Sequence, residues 1–289
     1  MDIFNTIIAG LAISFAIVSS VHALISKRDP KASIGWIAVC ILAPFGGPLL
    51  YYIFGINRVR TRAEKLQHRA NLSHIGMRMP TYASKVRSVI NIDNVNKGEL
   101  PELVHISDII TNRTLVGGNF IEVLNNGEQA YPAMLEAIEN ARRSLFLTTY
   151  IFEGNDTGKT FVSVLGRAVQ RGVDVRVIVD GLSDACRLNW TSKHLKKIGV
   201  PVARFLPPQL IPPTASINLR NHRKILVADG KIGFTGGINI GDRHLAERYE
   251  NPNRVADMHF RLTGPVVKQI EEVFIDDWRF ITGIHATPK

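Results

Sequence analysis

Two apolar stretches at the front of the chain constrain it most. Ile3 to Ile25 is almost continuously apolar, broken by Asn5, a few Ser and Thr residues and His22, and Ile34 to Phe54 carries no charge. Each is about twenty residues, enough to cross the hydrocarbon core of a bilayer. A cleaved signal peptide is the rival reading of the first stretch. However, Asp2 is the only charge ahead of it, and no clear small-x-small site precedes Lys27. The expectation is a retained hairpin of two transmembrane helices over residues 1–56. Pro44, Gly46, Gly47 and Pro48 fall inside the second stretch, which reads as a kinked helix or a shallow re-entrant segment. Trp36 and Tyr51-Tyr52 read as interfacial anchors, and His22 as an interfacial or helix-packing residue. The link carries Lys27, Arg28 and Lys31, and the exit carries Arg58, Arg60, Arg62, Lys65 and Arg69. A hairpin puts the amino terminus and the rest of the chain on one side, and the heavier exit charge makes that side cytoplasmic.

Residues 57–115 read as a basic connector, with apolar helical spacing at Leu103, Ile106, Ile109 and Ile110. From residue 116 strands and helices alternate. Strands are expected at Phe120–Leu124, Ser144–Phe152, Val173–Val179, Val202–Leu206 and Met258–Leu262. Helices are expected at Tyr131–Arg143, Gly158–Arg171, Ser192–Ile198 and Pro265–Phe280. This order predicts an α/β sandwich with a mixed sheet over residues 116–289.

The net charge of +10 favours an anionic partner: phospholipid headgroups, nucleic acid or an acidic protein. Two cysteines, one in an apolar and one in a polar stretch, exclude a cysteine zinc site. Asp180, Asp184, His244 and His259 are polar residues near strand ends without metal-ligand spacing, and no metal or cofactor is expected.

The chemistry concentrates in His222-Arg223-Lys224, then Asp229, then Gly236-Gly237-Ile238-Asn239, a pattern H-x-K-x4-D-x6-G-G-x-N that occurs once. Strand alternation would set His222, Lys224 and Leu226 on one face. Asp229-Gly230 is a hairpin signal, and Gly236-Gly237 lets backbone approach a ligand closely. One hairpin thus offers an imidazole nucleophile, a cation and an amide to a single phosphate.

These residues resemble the phospholipase D superfamily. The runs Asn218 to Leu226, Tyr131 to Leu135, Thr149 to Phe152 and Asp257 through His259 to Gly264-Pro265 resemble bacterial cardiolipin synthases more narrowly. The resemblance implies a phospholipase-D-like fold and phosphodiester chemistry through a phosphohistidine on His222. It implies Asp257 as the acid that orients the imidazole, with Glu250 as runner-up. Lys224 and Asn239 would hold the non-bridging oxygens. Asp229 would support the turn and pair with a nearby cation, and Gly236 and Gly237 would present backbone to substrate. Gly237 and Thr148 stand where many relatives carry Ser and Glu or Gln. Arg220 and Arg223 are candidate headgroup contacts or strand-edge cations. The implied reaction transfers a phosphatidyl group between phosphatidylglycerol molecules at the cell membrane.

That family brings two such motifs to one site, and this sequence has one. His194-Leu195-Lys196 has the first two members, but no Asp follows at the required position. A homodimer, a second chain carrying the other motif, and a catalytically inactive lipid-binding or assembly half remain open. A membrane-tethered phospholipase or nuclease is a further alternative, with nucleic acid the less favoured partner.

Overall fold

The computed structural model describes residues 3–27, 29–56, 100–111, 113–187, 190–208, 219–247 and 250–284. Most of the expected connector, with the exit cluster Arg58 to Arg69, lies outside the described residues. The chain divides into two compact units. The described parts are residues 3–56, with Arg28 excepted, and Pro208 in the first, and the other described residues from 100 to 284 in the second.

In the first unit, α1 is Ile3–Ser26, 24 residues. At 1.5 Å per residue it is about 36 Å long, enough to cross a bilayer. Among the described helices it alone has both the length and the hydropathy to do so. The second apolar stretch differs from a single membrane helix. Helix α2, Pro30–Leu42, starts at an Asp29 cap whose side chain accepts from the Lys31 amide, with Pro30 at the first helical position. It stops at Ala43, because Pro44 can neither donate a backbone hydrogen bond nor clear the preceding turn. Helix α3, Gly46–Leu50, follows and runs into a π turn over Tyr51–Gly55.

The second unit opens with α4, Leu100–Thr111. It continues with β1 (Phe120–Asn125), α5 (Asn126–Asn140), β2 (Ser144–Thr149), α6 (Asp156–Gln170), β3 (Asp174–Asp180), α7 (Gly181–Cys186), α8 (Trp190–Lys197) and β4 (Val202–Phe205). Then come β5 (Ile225–Ala228), β6 (Ile232–Gly236), β7 (Met258–Thr263) and α9 (Val266–Thr282). The strands form one sheet of order β1-β7-β6-β5-β2-β3-β4. Strands β2, β3 and β4 run parallel, and β2-β5, β5-β6, β6-β7 and β7-β1 are antiparallel. The mixed α/β sandwich expected from the alternation is the architecture found.

Both faces of the sheet are covered over its central strands. Leu145, Leu147, Val175, Val177, Leu226 and Phe234 pack with Ile138, Phe161, Leu165 and Leu195 of α5, α6 and α8. The opposite face packs Phe146 and Ile178 on Phe274 and Trp278 of α9, and Ile225, Val227 and Leu262 on Val267. Every residue of β2 and β5 is buried, so these central strands read as continuous apolar runs rather than alternating ones.

Strand direction decides where the loops meet. The carboxyl end of β2, the amino end of β5, the carboxyl end of β6 and the amino end of β7 all fall on one edge of the sheet. Tyr150, His222 to Lys224, Gly236 to Asn239 and Asp257 occupy those four positions.

Candidate active site

His222 and Lys224 lie just before β5 rather than inside it; the strand begins at Ile225. Strand alternation therefore does not set their faces. An aromatic platform gathers them instead. The His222 ring stacks on Tyr150, with centroids 4.0 Å apart and an interplanar angle of 19°. Lys224 Nζ stands 5.5 Å from the centroid of the same ring and donates a 2.8 Å hydrogen bond to the His222 carbonyl. Burial pushes the Lys224 ammonium below the usual lysine range, against the opposing pull of Asp257. A half-buried cation beside an imidazole is short of an anion, which a phosphate would supply.

Asn239 is held from several sides. Its Oδ1 accepts from the Ile151 amide at 3.0 Å, so donation to a ligand must come from Nδ2. Its backbone amide donates to His244 Nε2 at 3.2 Å, and the Tyr131 hydroxyl lies 2.8 Å from the carbonyls of both Asn239 and Gly241. Burial raises the Tyr131 pKa, so its hydroxyl remains a proton donor. A backbone bridge from Phe152 to Ile240 ties this loop to the segment carrying Tyr150.

Asp257 precedes β7. Its amide donates to Asn126 Oδ1 at 2.9 Å, and its own Oδ1 accepts from the Met258 amide at 2.7 Å. A Cβ on Gly237 would fall on the Asp257 carboxylate, and one on Gly236 would meet the Met258 carbonyl and the His259 ring. Both glycines are thus required by close approach. Behind Asp257 lies His259, 1% exposed, with neither ring nitrogen partnered. Burial drives its pKa down to about 4, with Asp257 opposing. Burial likewise lowers His244, again against Asp257. Glu250 is exposed in a turn.

The remaining motif residues point elsewhere. Asp229 sits past the far end of β5, on the opposite edge of the sheet from His222. Its carboxylate accepts from the amides of Arg142, Arg143 and Ser144 at 2.8–3.2 Å. Burial raises its pKa, but these three amides and Lys231 together outweigh that and hold it below the usual range. Arg220 is nearly buried, with Nη1 3.4 Å from Asp180 Oδ1 and Nη2 donating to the Leu206 carbonyl at 3.0 Å. Arg223 pairs at 2.5 Å with Asp277 of α9, which also accepts from Asn221 at 3.0 Å. Thr148 is buried inside β2. His194 stacks on Trp190 within α8.

Tyr150, Tyr131 and His244 are the contributors that sequence reasoning did not single out as site residues. Tyr131 and Tyr150 lie far in sequence from the H-x-K run and act through tertiary contacts, whereas His244 reaches Asn239 from five residues away. The signals for Tyr150 were its place in the run Thr149 to Phe152 and at the end of a buried apolar strand.

Comparison with known proteins gives the family of the chain. A family model described as cardiolipin synthase, phospholipase-D-like domain, matches residues 134–278, and a phospholipase D-nuclease N-terminal model matches residues 14–55. A cardiolipin synthase of Geobacillus thermodenitrificans is 30% identical over 284 residues, 98% of this chain and 54% of that protein. One from Oceanobacillus iheyensis is 29% identical over 281 residues, 94% of this chain and 56% of that protein. The chain spans about half the length of these curated relatives. The phospholipase D family member Nuc from Salmonella typhimurium is similar in structure, with a TM-score of 0.44 and 18% identity, covering 56% of this chain and 96% of that one. With residues 134–278 and the front segment 14–55 both matched, the chain belongs to the phospholipase-D-like cardiolipin synthase family.

Proposed function

We propose that this chain is a membrane-bound phosphatidyltransferase that joins two phosphatidylglycerol molecules through a phosphohistidine. A ring nitrogen of His222 attacks the phosphorus of one phosphatidylglycerol, forming a P–N bond as the P–O bond to glycerol breaks. The departing glycerol oxygen takes a proton from an acid. The hydroxyl of a second phosphatidylglycerol then gives its proton back to that same group, now a base, and attacks phosphorus; the P–N bond breaks, and cardiolipin leaves. Lys224 and Asn239 Nδ2 stabilise the charge on the non-bridging oxygens, and Asp257 holds the imidazolium that forms. Gly236 and Gly237 let Asp257 and the start of β7 pack against the loop that carries Asn239, and Arg223 can turn from Asp277 toward a headgroup. The acid and the opposing half of the phosphate cradle come from a second motif, on another copy of this chain or on a different chain. The domain faces the cytoplasm, on the side of the basic exit residues.

The observation that carries this reading is the common platform: His222 stacked on Tyr150, with Lys224 over the same ring. The test is a product assay on purified protein in phosphatidylglycerol vesicles, beside His222→Ala. Cardiolipin and glycerol from the wild type alone are expected. Absence of product, persisting after a chain carrying the second motif is added, would leave the domain as a silent lipid-binding half.

A further inference from the structure

The apolar segment after α1 folds back on itself. Helix α2 has 13 residues, about 20 Å of helix against a hydrocarbon core of about 30 Å. Past the break at Pro44 the chain returns alongside it. Gly47 lies against Val39 and Cys40, where any Cβ would strike the Val39 carbonyl. Tyr51 packs edge-on against Trp36 at 5.4 Å and takes a 2.7 Å hydrogen bond with His22 Nδ1. The returning strand of chain ends where it began: Lys27 Nζ, just past α1, donates to the Gly55 carbonyl at 2.5 Å. Ser33 Oγ donates to the Ala23 carbonyl at 3.3 Å, fixing the start of α2 at that same end of α1.

We propose that residues 30–55 form a re-entrant wedge that dips into one leaflet of the bilayer, leaving α1 as the chain's single crossing. The occupant of the wedge's outer surface is the acyl chains of that leaflet. Ile34, Ile41, Leu42, Phe45 and Leu49 are each more than half exposed on it. Backbone at the tip is compatible with that depth. Pro44 has no N–H, Ala43 donates to Val39, Gly47 donates to Ala43, and Gly47 and Pro48 are buried against neighbours. Charge supplies an independent argument. In a two-helix hairpin, Lys27, Arg28 and Lys31 would face the side opposite Arg58, Arg60, Arg62, Lys65 and Arg69. In the wedge all of them face one side, and only Asp2 faces the other, as the positive-inside rule favours. His22, Lys27, Tyr51 and Trp36 then lie together at the interface of that leaflet. The amino terminus and the catalytic domain are on opposite sides of the membrane.

The experiment is cysteine labelling with a membrane-impermeant maleimide on the full chain, in intact cells and in inside-out vesicles. Single positions Asp2→Cys, Lys31→Cys and Asn57→Cys are read in a Cys186→Ser background, where the buried Cys40 sets the baseline. Native Cys186, which is exposed, reports the side of the catalytic domain in the wild type. The wedge predicts that positions 31 and 57 label from the side of Cys186 and position 2 from the opposite side. Positions 2 and 57 on one side with 31 on the other would establish two crossings and overturn the proposal. All three on one side would overturn it too, since α1 would then not cross. The readout does not depend on turnover, so it stands or falls separately from the phosphatidyltransferase reading.

Discussion

His259 couples stability to pH through its burial. In the unfolded chain an imidazole titrates near 6.5, and in the fold burial lowers this to about 4. Between those values the unfolded chain holds the extra proton. Stability is therefore complete above about pH 6.5 and falls as pH drops toward 4, by at most about 3 kcal/mol. His259→Gln should lose less melting temperature between pH 7 and pH 5 than the wild type; an equal loss would assign the acid sensitivity to other groups. Lys224 is the complementary case, a half-buried cation set for an anion. Lys224→Met should lower turnover by about 10²–10³-fold while leaving the melting temperature unchanged or higher. Gly237 and Asp257 act as one unit, because a side chain on the first displaces the carboxylate of the second. Gly237→Ala and Asp257→Ala should each lower activity, and the double variant should be little worse than the stronger single; additive losses would argue against the shared role. None of these pairings follows from spacing, since Gly237 and Asp257 meet only when β6 lies beside β7.

The β5–β6 hairpin is the element whose turn was most legible in the sequence. Asp229 and Gly230 both take positive φ, 53° and 62°, and Lys231 donates back to the Ala228 carbonyl, as an Asp-Gly turn requires. The same element shows what spacing misjudges: the strand starts one residue after Lys224, and a stacked tyrosine on another strand orders the histidine. Asp229 also anchors the loop before β2 through three backbone amides. Asp229→Ala should cost about 1–3 kcal/mol of stability while leaving turnover per folded molecule near wild type. Its lowered pKa gives stability that is present above about pH 3.8, its unfolded value, and is lost as pH falls through the lower folded value. A large loss of turnover in Asp229→Ala at unchanged stability would overturn this division of labour.

At the scale of the whole molecule the single motif sets the question of assembly. If two copies build one site, equal amounts of wild type and His222→Ala pair at random, and only about a quarter of the dimers carry two intact motifs. Activity per wild-type chain should then fall to about half. If a different chain supplies the second motif, activity per wild-type chain should stay constant when that chain is present in excess. Co-reconstitution in phosphatidylglycerol vesicles at a fixed total of protein separates the two.

Periodicity and composition determined the elements of this protein: an apolar front, then strands and helices whose order specifies a mixed α/β sheet. They also determined which residue types could handle a phosphate, because His222, Lys224 and Asn239 share one short run and its chemistry is local. Tertiary structure decided the rest. Strand order brings Tyr150 and Asp257 to the edge that His222 occupies, and sends Asp229 to the opposite edge. Close packing of Gly47 and Tyr51 on α2 turns an uncharged stretch long enough to span a bilayer into two short arms. These outcomes depend on which surfaces bury one another across long sequence separations, and local pattern does not encode that.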